Sequence, residues 1–228
     1  MLYCEETVKS NIRNRDGKRV FYLKNEDTLT PSARDFLRRE HIEILPAQQA
    51  KPTEYHLENG AFFQEKPEHF THLRGNILVP KTHPVIAFRG AMDTLQAELL
   101  LSYAPVPSHM HQDLDALLTL ARSIIRWDVM QEPAKVDSLC GMTEAQLRQR
   151  SHDPAKYYGI PHFMPASTDA PAILQLNLCR CHARTAERAA AQAYLDENGN
   201  CCRPDLLQAL NRMSSMLYIL MIRLKSGR

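Results

Sequence analysis

Three arginines recur at four-residue spacing between Asn177 and Arg188, namely Arg180, Arg184 and Arg188. On a helix they share one side with Asn177 and Glu187. Like charges at this spacing repel by roughly a few tenths of a kcal/mol per pair unless an anion lies between them. The stripe is therefore either a solvated face or a surface that binds carboxylates or phosphates. Ile173, Leu174, Leu176 and Leu178 favour the second reading, because a helix so apolar at its start is buried and its arginines then need counter-charge.

A second polar cluster, Asn211, Arg212, Met213, Ser214 and Ser215, interrupts an apolar run near the C-terminus. Asn and Ser are mediocre helix formers and costly to bury. The cluster is either a polar layer that fixes helix register or a notch that faces a ligand. Thr71 to Lys81 gathers a hydroxyl, Gly75, Asn76 and the cations Arg74 and Lys81 in what reads as a loop. Such a loop can present backbone N–H groups and positive charge to phosphates. Asp93 lies near the start of a helix, where the dipole alone favours an acid. His69, His72, His109, His111 and His182 lack the spacing of known metal motifs, so exposed or capping roles fit them better. Six cysteines with no C-x-x-C read as free thiols in a reducing compartment.

The elements that must position these groups are mainly helical. Phe88 to Tyr103 reads as one helix, and Ser108 to about Gln131 as the next, with Leu114, Leu117, Leu118, Ala121, Ile124 and Ile125 on one side. Thr143 to Gln146 matches a capping box that opens a short helix. The loop from Tyr157 to Asp169 is rich in prolines and aromatics. Ala170 to Leu195 forms a long helix that carries the arginines, and Pro204 to Lys225 forms the last, with an apolar seam at 206, 210, 213, 217, 220 and 224. About five helices in a bundle result. Ahead of them Arg19 to Leu23 reads as a strand after an Asp16-Gly17 turn, Thr30-Pro31 opens a helix, and His41 to Leu45 is a second strand. Gln48 to Glu68 reads as a linker. The fold class is mainly α, with a small α/β N-terminal module and linker over 1–65 and a helical domain over 66–228.

Composition bounds the function. The 228 residues suit one domain with a small appendage, and a hydrophobic fraction of 44% supports a sizeable core. The net charge of +2 excludes bulk nucleic-acid binding, and only 8 glycines with no G-x-G-x-x-G or G-x-x-x-x-G-K-[ST] string argue against a dinucleotide or P-loop fold. The apolar run from Met216 to Ile222 falls far short of the roughly 20 residues of a membrane span. No signal peptide is legible at the N-terminus, so a cytoplasmic protein is expected.

These segments, in this order, resemble the ATP:cob(I)alamin adenosyltransferases, and above all the branch encoded with ethanolamine-utilisation enzymes. Phe88-Arg-Gly-Ala-Met-Asp93 resembles the family's Gly-x-x-Asp signature. His162-Phe-Met-Pro165 resembles its aromatic-apolar-Pro loop. Arg180-x-x-x-Arg184-Thr-Ala-Glu187-Arg188 and Leu210-Asn-Arg-Met-Ser-Ser215 resemble its two signature helices, and Thr30 to Arg34 resembles the N-terminal module of the branch.

The resemblance implies a helical-bundle protomer that forms a homo-oligomer, a trimer or a dimer, with ATP bound between subunits and the corrinoid at the bundle end. It implies transfer of the 5′-deoxyadenosyl group of ATP to cob(I)alamin, giving adenosylcobalamin and triphosphate for ethanolamine ammonia-lyase. Arg184 would contact the phosphates, Arg180 would pair with Asp93 across the bundle, and Glu187, Arg188 and Asn211 would complete the nucleotide site. Thr71, Arg74, Gly75, Asn76 and Lys81 would form a phosphate cradle, with Mg²⁺ bridging the phosphates. His162 or Phe163 would displace the lower axial ligand of cobalt(II), which leaves it four-coordinate and reducible by a flavoprotein. A cytoplasmic site, inside a bacterial microcompartment, follows from the branch; no nucleic acid and no membrane are implied. A corrinoid carrier or a microcompartment protein without catalysis is the rival. Two departures stand out. The family's Thr-Gly-Asp loop is replaced by Thr71-His-Leu-Arg-Gly-Asn76. The Cys-Cys-x-x-Cys motif of some branch members has no counterpart in Glu58 to His69, so no structural Zn²⁺ or Fe²⁺ is expected.

Overall fold

Residues 2–15, 17–47 and 54–227 are described by the structure, a computed structural model. The chain forms two compact units, Met1–Glu54 and Tyr55–Arg228. Asp16 of the expected turn and residues 48–53 of the expected linker lie outside the described residues.

The first unit runs β1 (Leu2–Tyr3), α1 (Glu5–Ser10), β2 (Arg13–Arg15), β3 (Lys18–Leu23), β4 (Thr28–Leu29), α2 (Pro31–Arg39) and β5 (Glu43–Pro46). Helix α2 starts where its signals say, with the Thr30 hydroxyl accepting from the Ala33 N–H and Pro31 in the first turn. Strands β3 and β5 pair in parallel on either side of it in sequence, and β2 adds an antiparallel edge. Val8, Phe21, Leu29, Ala33, Phe36, Leu37 and Ile42 form a core of the unit's own.

The second unit opens with a four-stranded sheet in the order β7-β6-β9-β8, made of β6 (Tyr55–Leu57), β7 (Phe62–Phe63), β8 (Phe70–Arg74) and β9 (Ile77–Pro80). Two expectations change here. Thr71 to Lys81 is a hairpin rather than a loop, turning at Gly75, whose φ of +50° suits glycine. The stretch expected as linker contributes β6 and β7, so the division between units falls after Glu54 instead of after residue 65. Strands of two and three residues show too little alternation to stand out in a polar sequence.

Six helices follow: α3 (Pro84–Leu101), α4 (His111–Val129), α5 (Glu144–His152), α6 (Pro154–Tyr158), α7 (Pro171–Tyr194) and α8 (Pro204–Ser226). Helix α3 starts before the expected Phe88, because the His83 ring caps the Val85 N–H and Pro84 fills the first helical position. The Thr143–Gln146 capping box that opens α5 is present in both directions. Helix α6, only five residues long, adds to the expected count of about five helices; the mainly α class stands. Helix α8 is more than a seam. Met216, Leu217, Ile219, Leu220, Met221 and Ile222 are all fully buried, with α4, α5, α6 and α7 packed around the helix. A helix apolar on all sides is the interior element of its bundle.

Candidate active site

Helix α7 packs between α3 and α8, and small residues let it approach both. Ala183, Ala186 and Ala190 on its buried face are fully covered, while Arg184 and Arg188 point outward. Helix α8 meets this face with its polar interruption. The Ser214 and Ser215 hydroxyls both donate to the Asn211 carbonyl at 3.0 Å. The Asn211 amide donates to Glu187 Oε1 at 3.3 Å, joining the two helices. Arg212 leaves the notch for α5, where it pairs with Glu144 at 2.7 Å.

An open cleft of about 370 Å³ lies along this line. Arg180 and Arg184 line it from α7, and Asn211, Ser214 and Ser215 from α8. The Arg180 guanidinium is half-buried and donates twice to Asn177 Oδ1, at 3.2 and 2.9 Å. Arg184 and Arg188 are exposed and unpaired among the described residues. Two cations at this spacing without a counter-charge form a site that gains from an incoming anion.

The cleft adjoins a recess of about 270 Å³, with which it shares His162, Arg180 and Tyr218. Phe163, Met164, Pro165 and Met221 give the recess an apolar wall. Gly159, at φ +75°, caps α6 and releases the chain into this loop. The His162 ring stacks on Tyr218 with centroids 5.7 Å apart and planes 9° from parallel. Lys225 lies 5.5 Å from the centre of the Phe163 ring and pairs with Asp169.

The hairpin belongs to the other end of the bundle. Ser102 Oγ meets Cys179 Sγ at 3.2 Å, and the Phe88 and Tyr194 rings meet at 5.9 Å, so α3 and α7 run antiparallel. Arg89 on α3 donates to the Leu73 carbonyl of β8 at 2.9 Å and to Asp128 Oδ2 at 2.7 Å. Asp128 is almost fully buried and also accepts from the Tyr194 hydroxyl. The hairpin is thus anchored at the Tyr194 end, about 15 Å along α7 from Arg184. Within one chain Thr71, Arg74, Gly75, Asn76 and Lys81 do not join the arginine cleft. Lys81 itself pairs with Glu68 at 3.3 Å.

The Arg180–Asp93 pair expected from the resemblance is not formed within the chain. The antiparallel register sets Asp93 level with the segment around Arg188, about 12 Å along the axis from Arg180. Asp93 is exposed and has no partner among the described residues.

Tyr218, Arg89, Asp128 and Tyr194 were not among the residues expected at the site. Two of them have a signal. Tyr218 follows Asn211 and Ser214 at helical spacing, which extends the polar stripe. Asp128 falls on the apolar stripe of α4 after Ala121 and Ile124. All six cysteines are free, and burial pushes the Cys140 thiol up to about 12 and the Cys179 thiol up to about 11, so neither supplies a thiolate near neutral pH. Among the described residues no three His, Cys, Asp or Glu side chains are grouped to hold a metal ion, and no helix is long and apolar enough to cross a membrane.

An arginine-lined cleft continuous with an apolar recess, on a mainly helical unit, suits a protein that brings an anionic nucleotide beside a large apolar ring. Residues 61–224 match the profile of the cobalamin adenosyltransferases, and the chain belongs to that family. It is 30% identical to the corrinoid adenosyltransferase EutT of Salmonella typhimurium strain LT2 over 248 residues, covering 96% of this chain and 90% of that protein. It is 28% identical, over the same shares, to the corrinoid adenosyltransferase EutT of Escherichia coli K12.

Proposed function

We propose that this chain transfers the 5′-deoxyadenosyl group of ATP to a reduced corrinoid, giving adenosylcobalamin and triphosphate, in support of ethanolamine ammonia-lyase. The observation that carries the reading is the unpaired Arg184, set in a cleft that runs into the apolar recess of His162 and Phe163. Cobalt(I) of the substrate is itself the nucleophile. It attacks C5′ of ATP, the Co–C bond forms as the C5′–O bond breaks, and the electron pair leaves with the triphosphate. The chain need supply no nucleophile of its own. Its work is positioning and neutralisation of the leaving group.

Arg184 and Arg188 take the phosphates, and the Asn211–Glu187 pair orients the nucleoside. Arg180, held by Asn177, borders both cleft and recess. A corrinoid carrier has no use for unpaired phosphate-facing arginines, which favours the enzyme. Mg²⁺ arrives with the triphosphate, whose oxygens and waters supply most of its coordination and need no carboxylate cage.

The cradle comes from a second copy. Separation of the hairpin from the cleft supports this, as do the unpaired Asp93 and the exposed Leu101, Leu174 and Leu178 on helices α3 and α7. Each site then joins the Arg184 cleft of one subunit to the Thr71–Lys81 hairpin of another. Cytoplasmic residence within a microcompartment and a flavoprotein reductant complete the reading.

Steady release of triphosphate from ATP, dependent on reduced corrinoid, tests the activity. Mixed oligomers test the shared site. Arg184→Ala and Lys81→Ala subunits, each weakly active alone, recover about a quarter of wild-type activity when mixed equally, whether the assembly is a dimer or a ring. No recovery on mixing overturns the shared site and leaves the activity standing.

A further inference from the structure

The loop over the recess holds a histidine whose proton positions are dictated by its neighbours. His162 Nε2 lies 3.1 Å from the His152 carbonyl, which can only accept, so Nε2 carries the hydrogen. In the neutral ring Nδ1 is then a bare lone pair, and it faces the Tyr218 hydroxyl at 3.0 Å. Tyr218 must donate to it. The same phenol oxygen accepts the Phe163 N–H at 3.3 Å. Four groups thus form one directed chain, from the Phe163 N–H through the Tyr218 hydroxyl to His162 Nδ1, and from His162 Nε2 to the His152 carbonyl. The His162 and Tyr218 rings lie nearly parallel beside this chain.

An imidazole at the wall of a corrinoid recess is a hazard. Its free nitrogen is a good ligand for cobalt(II), and a nitrogen-ligated centre is five-coordinate and hard to reduce. We infer that Tyr218 is a positioning residue whose hydroxyl occupies His162 Nδ1, keeping that nitrogen off cobalt while Phe163 faces the metal. The inference rests on the reading that the recess receives the corrinoid. It assigns the apolar role to Phe163 and gives His162 the structural one, since both its nitrogens are already engaged.

Tyr218→Phe removes one oxygen and keeps the stacked ring. The probe is cob(II)inamide with ATP, read by electron paramagnetic resonance. This corrinoid lacks its own lower base, so nitrogen splitting in the signal can come only from the protein. Wild type gives the four-coordinate signal. Tyr218→Phe loses it and gains the superhyperfine splitting of one nitrogen. Tyr218→Phe/His162→Leu loses the splitting and regains the four-coordinate signal. A wild-type protein with no four-coordinate species overturns the placement of the corrinoid at the recess. A wild type that forms it, with Tyr218→Phe unchanged, without nitrogen splitting, or not rescued by His162→Leu, overturns the role of Tyr218 alone.

Discussion

The arginine cleft and the β8–β9 hairpin are both rich in positive charge and treat it differently. Around the hairpin most of the cations are engaged, the exposed Arg74 excepted. Lys81 pairs with Glu68, Lys66 donates to the Phe70 carbonyl, and Arg89 is shared between Asp128 and the Leu73 carbonyl. Arg184, in the cleft, and Arg188, one turn further along α7, have no partner among the described residues. The first arrangement holds a backbone in place. The second is stable only in part until an anion arrives, which is what a leaving-group site requires.

The sharpest way to break this contrast is Arg184→Ala. It lowers kcat by about 10²–10³ and leaves thermal stability unchanged, because the side chain is exposed and supports nothing in the fold. Near-wild-type turnover would show that the cleft is only a solvated face.

Asp128→Ala tests the hairpin end by the opposite signature. It strands the Arg89 guanidinium and the Tyr194 hydroxyl in the interior and costs about 3 kcal/mol of stability in urea unfolding. Loss of activity without loss of stability would move Asp128 into the chemistry.

Phe163→Ala comes next. It slows adenosylation that starts from cob(II)alamin by about 10-fold, a loss of about 1.4 kcal/mol in transition-state stabilisation, and affects pre-reduced cob(I)alamin less. Equal slowing of both substrates would reduce the ring to packing.

The smallest effect is expected from chelation. The hairpin sheet is held by backbone pairing and Arg89, so EDTA treatment leaves the melting temperature unchanged, and elemental analysis finds no stoichiometric Zn or Fe. One tightly held ion per chain would contradict this; Mg²⁺ removed on dilution would not.

The long helices are legible in the sequence because their apolar residues repeat over five or more turns, as in α7 and α8. The cleft is legible because Arg180, Arg184 and Asn211 fall on helices whose faces can be counted. The sheet that carries the hairpin is not, because β6 and β7 offer three and two residues of pattern and β6 pairs with β9, distant in sequence. The Arg180–Asp93 pairing fails within one chain for a related reason. Spacing along a helix says which side a residue takes, and only the antiparallel register of α3 and α7 says how far apart two residues stand. Tyr218 escapes notice because a tyrosine in an apolar run reads as core until its hydroxyl is seen between His162 and Phe163.

Helix α4 ends on an acid. Asp128 sits in its last turn, where the helix macrodipole is already negative and a carboxylate is disfavoured. Two arginines from elsewhere reverse that balance. Arg89 comes from α3, and Arg203, from the turn before α8, donates to the Trp127 carbonyl at 3.3 Å and to the Glu132 carbonyl at 2.9 Å. Local bonds close the turn, with the Met130 N–H on the Arg126 carbonyl at 2.9 Å and the Glu132 N–H on the Trp127 carbonyl at 3.0 Å, and the two arginines add to them. Arg89 and Arg203 tie this turn to α3 and to the start of α8. One carboxylate near the end of α4 thus serves Arg89 of α3 and Tyr194 of α7 together, so a change of charge at Asp128 is felt in three helices at once.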